Sequence, residues 1–138
     1  PAAAPAERTV LIADDDPDVL RLLTTTLRPE GLRLLTAGDG EEALRLARAE
    51  RPALILLDWQ MPGRDGLEVT RALREDADPA LREVPVVLIT AQTGAENTAA
   101  GFAAGVTDYL AKPFTPTNVR ARVRTWLLRR GAGQGGCA

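Results

Sequence analysis

Carboxylate side chains stand where two short apolar runs of the sequence end. The run TVLIA is followed directly by Asp14 and Asp15, and the run ALILLD ends in Asp58. Like charges that lie close together repel each other, most strongly where water is partly excluded. A hard divalent cation such as Mg²⁺ would let several carboxylates remain ionised together. These acids therefore indicate a metal site.

Two other polar groups stand at the ends of later apolar runs. The run PVVLIT ends in Thr90, and the run DYLAKP contains Lys112. A lysine supplies a positive charge for a phosphoryl oxygen, and a hydroxyl supplies a neutral hydrogen bond. A carboxylate can attack phosphorus to form an aspartyl-phosphate. Together with the acids, these groups predict a site that accepts a phosphoryl group.

The elements that must position these residues alternate along the chain. Five short apolar runs, most of them continuous, are typical of parallel strands that are covered on both faces. They are TVLIA, LRLLTA, ALILLD, PVVLIT and DYLAKP. Segments with helical spacing follow them. The third is predicted from about Leu67 to Leu73 and onward, and the last is predicted to end before Gly131. This alternation predicts an α/β, doubly wound parallel sheet with five helices, whose strand ends share one ligand-binding edge.

Other acids of the sequence are better explained by helix geometry. Asp16 and Asp18 flank Pro17, which is typical of an N-cap, a first helical position and a first-turn acid. Asp65 precedes Gly66, a pair that favours a turn. These three acids are therefore predicted to be structural.

Composition excludes several classes of function. The chain has 138 residues, of which 45% are hydrophobic, and its formal net charge of -2 gives no reason to expect nucleic-acid binding. It contains 0 histidines, which excludes Ser-His catalysis and His-ligated zinc within this chain. Cys137 is the only cysteine, so a reducing, cytoplasmic compartment is expected. No apolar run approaches the ~18 residues of a membrane span.

Four segments occur together in the order and spacing of one known family. They are LIADDDPDVLRLL, ILLDWQMPGRDG, VPVVLITA and GVTDYLAKPF. Over roughly Thr9 to Arg130 the chain resembles the receiver domain of two-component response regulators. The resemblance implies a flavodoxin-like sheet of order 2-1-3-4-5 in a domain of residues 9–130. Residues 1–8 and 131–138, rich in Pro, Ala and Gly, are expected to be flexible tails or linkers.

The resemblance also implies a metal site and a phosphoacceptor. Asp58 would accept the phosphoryl group. Asp15 would bind Mg²⁺ directly, Asp14 would act mainly through a metal-bound water, and Asp58 would complete the acidic ligands. Gln60 would contribute its backbone carbonyl, which leaves its side chain free to vary. Gln60 and Gln92 are the candidates for setting the lifetime of the phosphoryl group.

In this family a threonine, a lysine and an aromatic residue respond to the phosphoryl group. By resemblance, Thr90 and Lys112 would each bind one phosphoryl oxygen, and the Lys112–Pro113 peptide bond would be cis. Thr90 would move toward the phosphoryl group, and the ring of Tyr109 would turn inward to follow it. The surface of the fourth helix, fifth strand and fifth helix would then change shape.

The implied function is a phosphorylation-dependent signalling switch rather than an enzyme, since it catalyses only its own phosphorylation and dephosphorylation. The donor would be a histidine kinase or a phosphotransfer protein. The changing surface would contact a partner or output domain, or a second copy of the chain in a homodimer. No direct nucleic-acid or membrane contact is expected of this domain, which could be excised from a longer chain.

Two other functions are open to the same residues. Phosphatases of the haloacid-dehalogenase type also use an aspartate nucleophile, Mg²⁺ and a lysine, but they need a further acidic motif after the lysine. The segment PFTPTNVRARVRTWLLRR, which follows Lys112, contains no acid. The other possibility is a receiver that only binds proteins and takes no phosphoryl group.

Overall fold

Five parallel strands form the centre of the protein. The computed structural model describes residues 8–91 and 95–136, with the side chains of residues 8–91 and 97–128. The strands are β1 (Thr9–Ala13), β2 (Arg33–Ala37), β3 (Leu54–Asp58), β4 (Val86–Thr90) and β5 (Asp108–Ala111). They lie in the order β2-β1-β3-β4-β5. This arrangement confirms the predicted doubly wound sheet.

Six α-helices, rather than the predicted five, connect and follow the strands within the described ranges. They are α1 (Pro17–Leu27), α2 (Gly40–Glu50), α3 (Gly66–Arg74), α4 (Pro79–Glu83), α5 (Ala95–Ala104) and α6 (Pro116–Gly136). A short 3₁₀-helix, Arg28–Glu30, follows α1. None of the helices in the described part of the chain is both long enough and apolar enough to cross a membrane.

One helix was not predicted, and the predicted end of another was wrong. The third predicted helix stops at Arg74, and α4 begins separately at Pro79, since a proline inside a continuing helix would lose a hydrogen bond and clash with the preceding turn. Asp78 caps this new helix by accepting a hydrogen bond from Ala80 N at 3.0 Å. The last helix does not end before Gly131 but continues to Gly136. Glycine keeps its N–H, so it weakens a helix without ending it.

Acidic N-caps begin the helices next to the site. Asp16 accepts a hydrogen bond from Asp18 N at 2.9 Å, which confirms that this acid caps α1. Asp65 forms a capping box with Glu68 at the start of α3, so its role is structural, as predicted. Each cap satisfies an N–H that has no partner inside the helix.

The core has two parts, one on each face of the sheet. Alternate strand residues contribute to each part, because successive side chains of a strand point to opposite faces. One part includes Leu11, Ile55, Leu57, Val86 and Leu88, and the other includes Val10, Ile12, Leu54, Leu56, Val87 and Ile89. Both faces of the central strands are therefore covered, which explains why their sequences are continuously apolar.

Candidate functional site

Backbone hydrogen bonds of the sheet continue past the strand ends and position the polar residues. Asp14 N donates to Ala37 O at 3.0 Å, directly after β1 ends. Lys112 N donates to Thr90 O at 2.9 Å, directly after β5 ends. Asp58 is itself the last residue of β3. The polar residues are thus attached to the most regular part of the fold, at one edge of the sheet.

Three carboxylates meet at this edge, as predicted. One oxygen of each of Asp14, Asp15 and Asp58 lies within 4.8 Å of the other two. Asp14 is 1% exposed and Asp58 is 8% exposed, whereas Asp15 faces solvent. Because β1 and β3 are neighbours in the sheet, acids more than forty residues apart in the sequence share one site.

Asp14 has one carboxylate oxygen that is satisfied and one that is not. Its Oδ1 accepts a hydrogen bond from Asp16 N at 2.9 Å. Its Oδ2 is buried, and no hydrogen-bond donor among the described residues reaches it. Burial is the largest influence on this carboxyl and raises its pKa from 3.8 to about 6. A buried anionic oxygen without a donor is unfavourable unless a cation compensates it.

Lys112 supplies the positive charge of the site. Its Nζ lies 3.3 Å from Asp58 Oδ1 and 3.7 Å from Asp14 Oδ2. Burial raises the pKa of Asp58 above its ordinary value, while the charge and hydrogen bond of Lys112 oppose that rise. The ammonium group therefore favours the ionised form of Asp58, the form that can act as a nucleophile.

The donor atoms of this edge fit a hard divalent cation. They are carboxylate oxygens, which Mg²⁺ prefers, and one of them is the unsatisfied Asp14 Oδ2. The acidic pocket is thus compatible with Mg²⁺. Gln60, whose carbonyl was also predicted as a ligand, is exposed two residues after Asp58. Gln92 lies outside the described residues.

Thr90 lies at a strand end, as predicted, and the Lys112–Pro113 peptide bond has the predicted conformation. Thr90 is the last residue of β4, is 4% exposed, and its carbonyl accepts the hydrogen bond from Lys112 N. The Lys112–Pro113 peptide bond is cis, as the resemblance implied. Thr90 therefore belongs to the same sheet edge as Asp58 and Lys112.

Tyr109 is half-buried and its ring lies against α5. Its hydroxyl donates to Thr98 O at 2.9 Å, with Asn97 O at 3.3 Å. The ring of Phe102 approaches it edge-on, with 5.3 Å between ring centroids. Tyr109 is thus held by the backbone of the neighbouring helix, a contact that the sequence did not predict.

Sequence reasoning missed an ion-pair network that joins β5 to α6. Asp108 Oδ2 accepts hydrogen bonds from Arg122 Nη2 and Trp126 Nε1, both at 2.9 Å. Arg122 Nη2 also donates to Tyr109 O at 3.0 Å, and the guanidinium carbon of Arg122 lies over the ring of Trp126. Burial of Asp108 opposes ionisation, but the hydrogen bonds from Trp126, Tyr109 N and Arg122, together with the charge of Arg122, outweigh it and hold the pKa of Asp108 below its ordinary value. The residue types were visible in the sequence, but their pairing was not.

The role of Gly66 also differs from the turn predicted for it. A Cβ at this position would lie 2.8 Å from Asp58 O and 2.7 Å from Leu88 Cδ2. Gly66 N donates to Trp59 O at 2.7 Å, so α3 begins in direct contact with the segment that follows Asp58. Glycine is required here for close packing beside the phosphoacceptor candidate.

Comparison with known sequences identifies the family. A model of the response regulator receiver domain matches residues 10–124. The chain is 42% identical over 120 residues to the DNA-binding response regulator MtrA of Mycolicibacterium smegmatis, covering 87% of this chain and 50% of MtrA. It is 45% identical over 123 residues to the transcriptional regulatory protein PrrA of Mycobacterium bovis, covering 89% of this chain and 51% of PrrA. The chain therefore spans about half the length of these relatives.

Solved structures agree with the sequence comparison. The chemotaxis protein CheY4 of Vibrio cholerae superposes with a TM-score of 0.80 at 32% identity, covering 85% of this chain and 96% of CheY4. The receiver domain of the sensor histidine kinase PA1611 of Pseudomonas aeruginosa, solved with magnesium in its active-site cleft, gives 0.78 at 32% identity, covering 87% and 97%. By sequence match, sheet order and the acidic edge together, this chain belongs to the receiver domain family of two-component response regulators.

Proposed function

We propose that this receiver domain accepts a phosphoryl group on Asp58 and thereby acts as a signalling switch. The observation that carries the proposal is the position of the Asp58 carboxylate. Its Oδ1 lies 3.3 Å from Lys112 Nζ, and one of its oxygens lies within 4.8 Å of an oxygen of Asp14 and of Asp15. A nucleophile that adjoins both a cation and a candidate metal site is suited to phosphoryl transfer.

The residues of the site could transfer a phosphoryl group from a donor to Asp58. An oxygen of Asp58 forms a bond to phosphorus while the bond from phosphorus to the donor breaks, and the donor leaves with its electron pair. In the cell the donor would be the phosphohistidine of a histidine kinase or phosphotransfer protein. Lys112 would stabilise the charge on one equatorial oxygen, and the Thr90 hydroxyl would bond another. The domain would thus catalyse only its own phosphorylation and dephosphorylation.

The acidic residues would hold Mg²⁺ in this reaction. Asp15 and Asp58 would bind it directly, Asp14 mainly through a water molecule, and Gln60 through its backbone carbonyl. When bound, Mg²⁺ would neutralise phosphoryl charge and orient the transferred group. The support from this chain is the unsatisfied Asp14 Oδ2, which lies among these ligands.

The switch would follow from the added charge. A phosphoryl group brings roughly -1.5 to -2 charges and strong acceptor oxygens, which would draw Thr90 and Lys112 toward Asp58. The ring of Tyr109 would turn inward, and the surface formed by α5, β5 and α6 would change shape. These elements are the predicted fourth helix, fifth strand and fifth helix. A partner, an output domain or a second copy would bind that surface, in the cytoplasm. No nucleic-acid contact by this domain is proposed, although the relative MtrA is described as DNA-binding.

Mass spectrometry tests the proposal directly. The protein is incubated with acetyl phosphate and Mg²⁺ and weighed intact. We expect a gain of one phosphoryl group in the parent chain and none in Asp58→Asn. Asp18→Asn, which changes an exposed acid at the start of α1, serves as the matched control and should gain the group normally. If the parent gains nothing, the domain is a protein-binding module without phosphoryl transfer.

A further inference from the structure

Gly101 lies where the phenol of Tyr109 crosses α5. It is buried in the middle of the helix, and a Cβ at this position would overlap Tyr109 Oη and lie 2.7 Å from Cζ. The helical backbone itself does not need glycine here, and alanine would form the helix better. The missing side chain therefore serves the contact with Tyr109.

The phenol occupies a defined seat, which consists of Gly101, the ring of Phe102 and the carbonyl of Thr98. The hydroxyl donates to Thr98 O at 2.9 Å, and the edge-on contact with Phe102 has a centroid distance of 5.3 Å. Burial in the seat raises the pKa of Tyr109 above its ordinary value. A methyl group at position 101 and the phenol could not occupy this space together.

The main chain of Tyr109 is held from the opposite side. Its carbonyl accepts a hydrogen bond from Arg122 Nη2 at 3.0 Å, and Arg122 in turn pairs with Asp108 at 2.9 Å. Because the main chain of Tyr109 is held by β4 and by Arg122 of α6, a change in the position of Tyr109 would be a rotation of its side chain. The seat therefore favours one orientation of the Tyr109 side chain.

We propose that the missing Cβ of Gly101 selects the seated position of Tyr109 in the unphosphorylated domain and thereby sets the resting ratio of the switch. The second half of this statement rests on the proposed function. Any interaction that favours one of two conformations shifts the balance between them by its difference in free energy. The seat exists only when position 101 lacks a side chain, so Gly101 is a positioning residue for Tyr109.

Nuclear magnetic resonance can observe the seat directly, because Tyr109 is the only tyrosine and the chain has just two phenylalanines. In the donor-free parent we expect nuclear Overhauser contacts between the ring protons of Tyr109 and those of Phe102. Gly101→Ala should abolish these contacts. Ala99→Gly, an exposed substitution on the same helix that alters helix propensity alone, should retain them. Contacts that persist in Gly101→Ala overturn the proposal.

Thermal unfolding gives a second test that does not depend on resonance assignment. Alanine at position 101 should raise the melting temperature in a Tyr109→Ala background, where it only improves the helix. In the parent background the same substitution should raise the melting temperature less, or lower it, because the new methyl group also displaces the phenol of Tyr109. Equal changes in the two backgrounds would mean that Gly101 and Tyr109 do not interact, and the proposal would fail.

Phosphorylation then tests the link to the switch. Acetyl phosphate with Mg²⁺ should weaken the Tyr109–Phe102 contacts of the parent, and Gly101→Ala should take up phosphate at a higher initial rate. A phosphorylated parent with unchanged contacts, or equal initial rates, refutes control of the switch by Gly101. A parent that takes up no phosphate refutes the proposed function instead. The donor-free comparison still decides whether Gly101 positions Tyr109.

Discussion

Replacing Asp14 with asparagine should make the metal-free protein more stable at neutral pH. Asp14 is 1% exposed, and its Oδ2 has no hydrogen-bond donor among the described residues. Asparagine has nearly the same size and keeps a carbonyl that can accept the hydrogen bond from Asp16 N. The substitution therefore removes a buried charge with little change in packing.

The pKa of Asp14 gives the magnitude. Burial, the largest influence, raises it from 3.8 to about 6, so the folded state binds the proton more tightly than the unfolded state. Stability therefore falls as the pH rises through this window and stays reduced above it. The difference corresponds to about 3 kcal/mol at about 1.4 kcal/mol per pH unit. Asp14→Asn should recover much of this at pH 7 and little below about pH 4.

Urea unfolding in the presence of a chelator measures this difference. Fluorescence of the two tryptophans reports unfolding, and the stability gap between variant and parent is compared from about pH 4 to about pH 7.5. Added Mg²⁺ should stabilise the parent more than the variant, since a ligand stabilises the state that binds it. Asp18→Asn, at an exposed position, should show no such gap. A gap that does not change with pH, or a variant less stable at pH 7, would refute the electrostatic reasoning.

Three other predictions follow from the same geometry. The affinity for Mg²⁺ should fall about tenfold between pH 7 and pH 5, because protonated Asp14 no longer attracts the cation; fluorescence titrations with equal affinity at both values would contradict this. Gly66→Ala should destabilise the fold by about 1–3 kcal/mol and slow phosphoryl uptake, because its Cβ would lie 2.8 Å from Asp58 O. Urea unfolding and the mass assay check both effects, and a neutral substitution would argue against the close packing. Asp108→Asn should lower stability at pH 7 by about 1 kcal/mol, because it replaces a charge-assisted hydrogen bond with Trp126. The pKa of Asp108 is lowered, so its contribution is present above 3.8 and lost as the pH falls through the folded value; a difference from the parent that survives at low pH would argue against this origin.

Much of the fold could be predicted because its signals are local. Continuous apolar runs separated by helical spacing already indicate parallel strands with both faces covered. The break between α3 and α4 was missed because apolar spacing alone does not show where one helix ends and the next begins. Pro79 and its cap Asp78 mark the start of α4 only once the new helix is suspected. The end of α6 was missed because glycine lowers helix propensity without preventing a helix.

The candidate site could be predicted as far as it depends on strand ends. Asp58 and Thr90 are the last residues of β3 and β4, and Asp14 and Lys112 directly follow β1 and β5. The convergence of these four residues therefore follows from the topology. The sequence could not show that Asp14 is buried while its neighbour Asp15 is exposed.

Contacts between side chains and distant backbone also gave no signal in the sequence. The close approach of Gly101 to Tyr109, eight residues later, depends on how α5 packs beside β5. The hydrogen bond between Arg122 and Asp108 likewise depends on how α6 returns to the sheet. Such contacts follow from tertiary packing rather than from local pattern.

The strand order places the acidic and basic groups of the site on strands of different stability. The carboxylates of Asp14 and Asp58 are borne by β1 and β3, interior strands that have neighbours on both sides. The ammonium of Lys112 follows β5, an outermost strand bonded only to β4. Local opening of β5 would move the Lys112 ammonium away from the site while the carboxylates of Asp14 and Asp58 remain close together. Hydrogen exchange should therefore be faster at the amide of Leu110 than at that of Leu56.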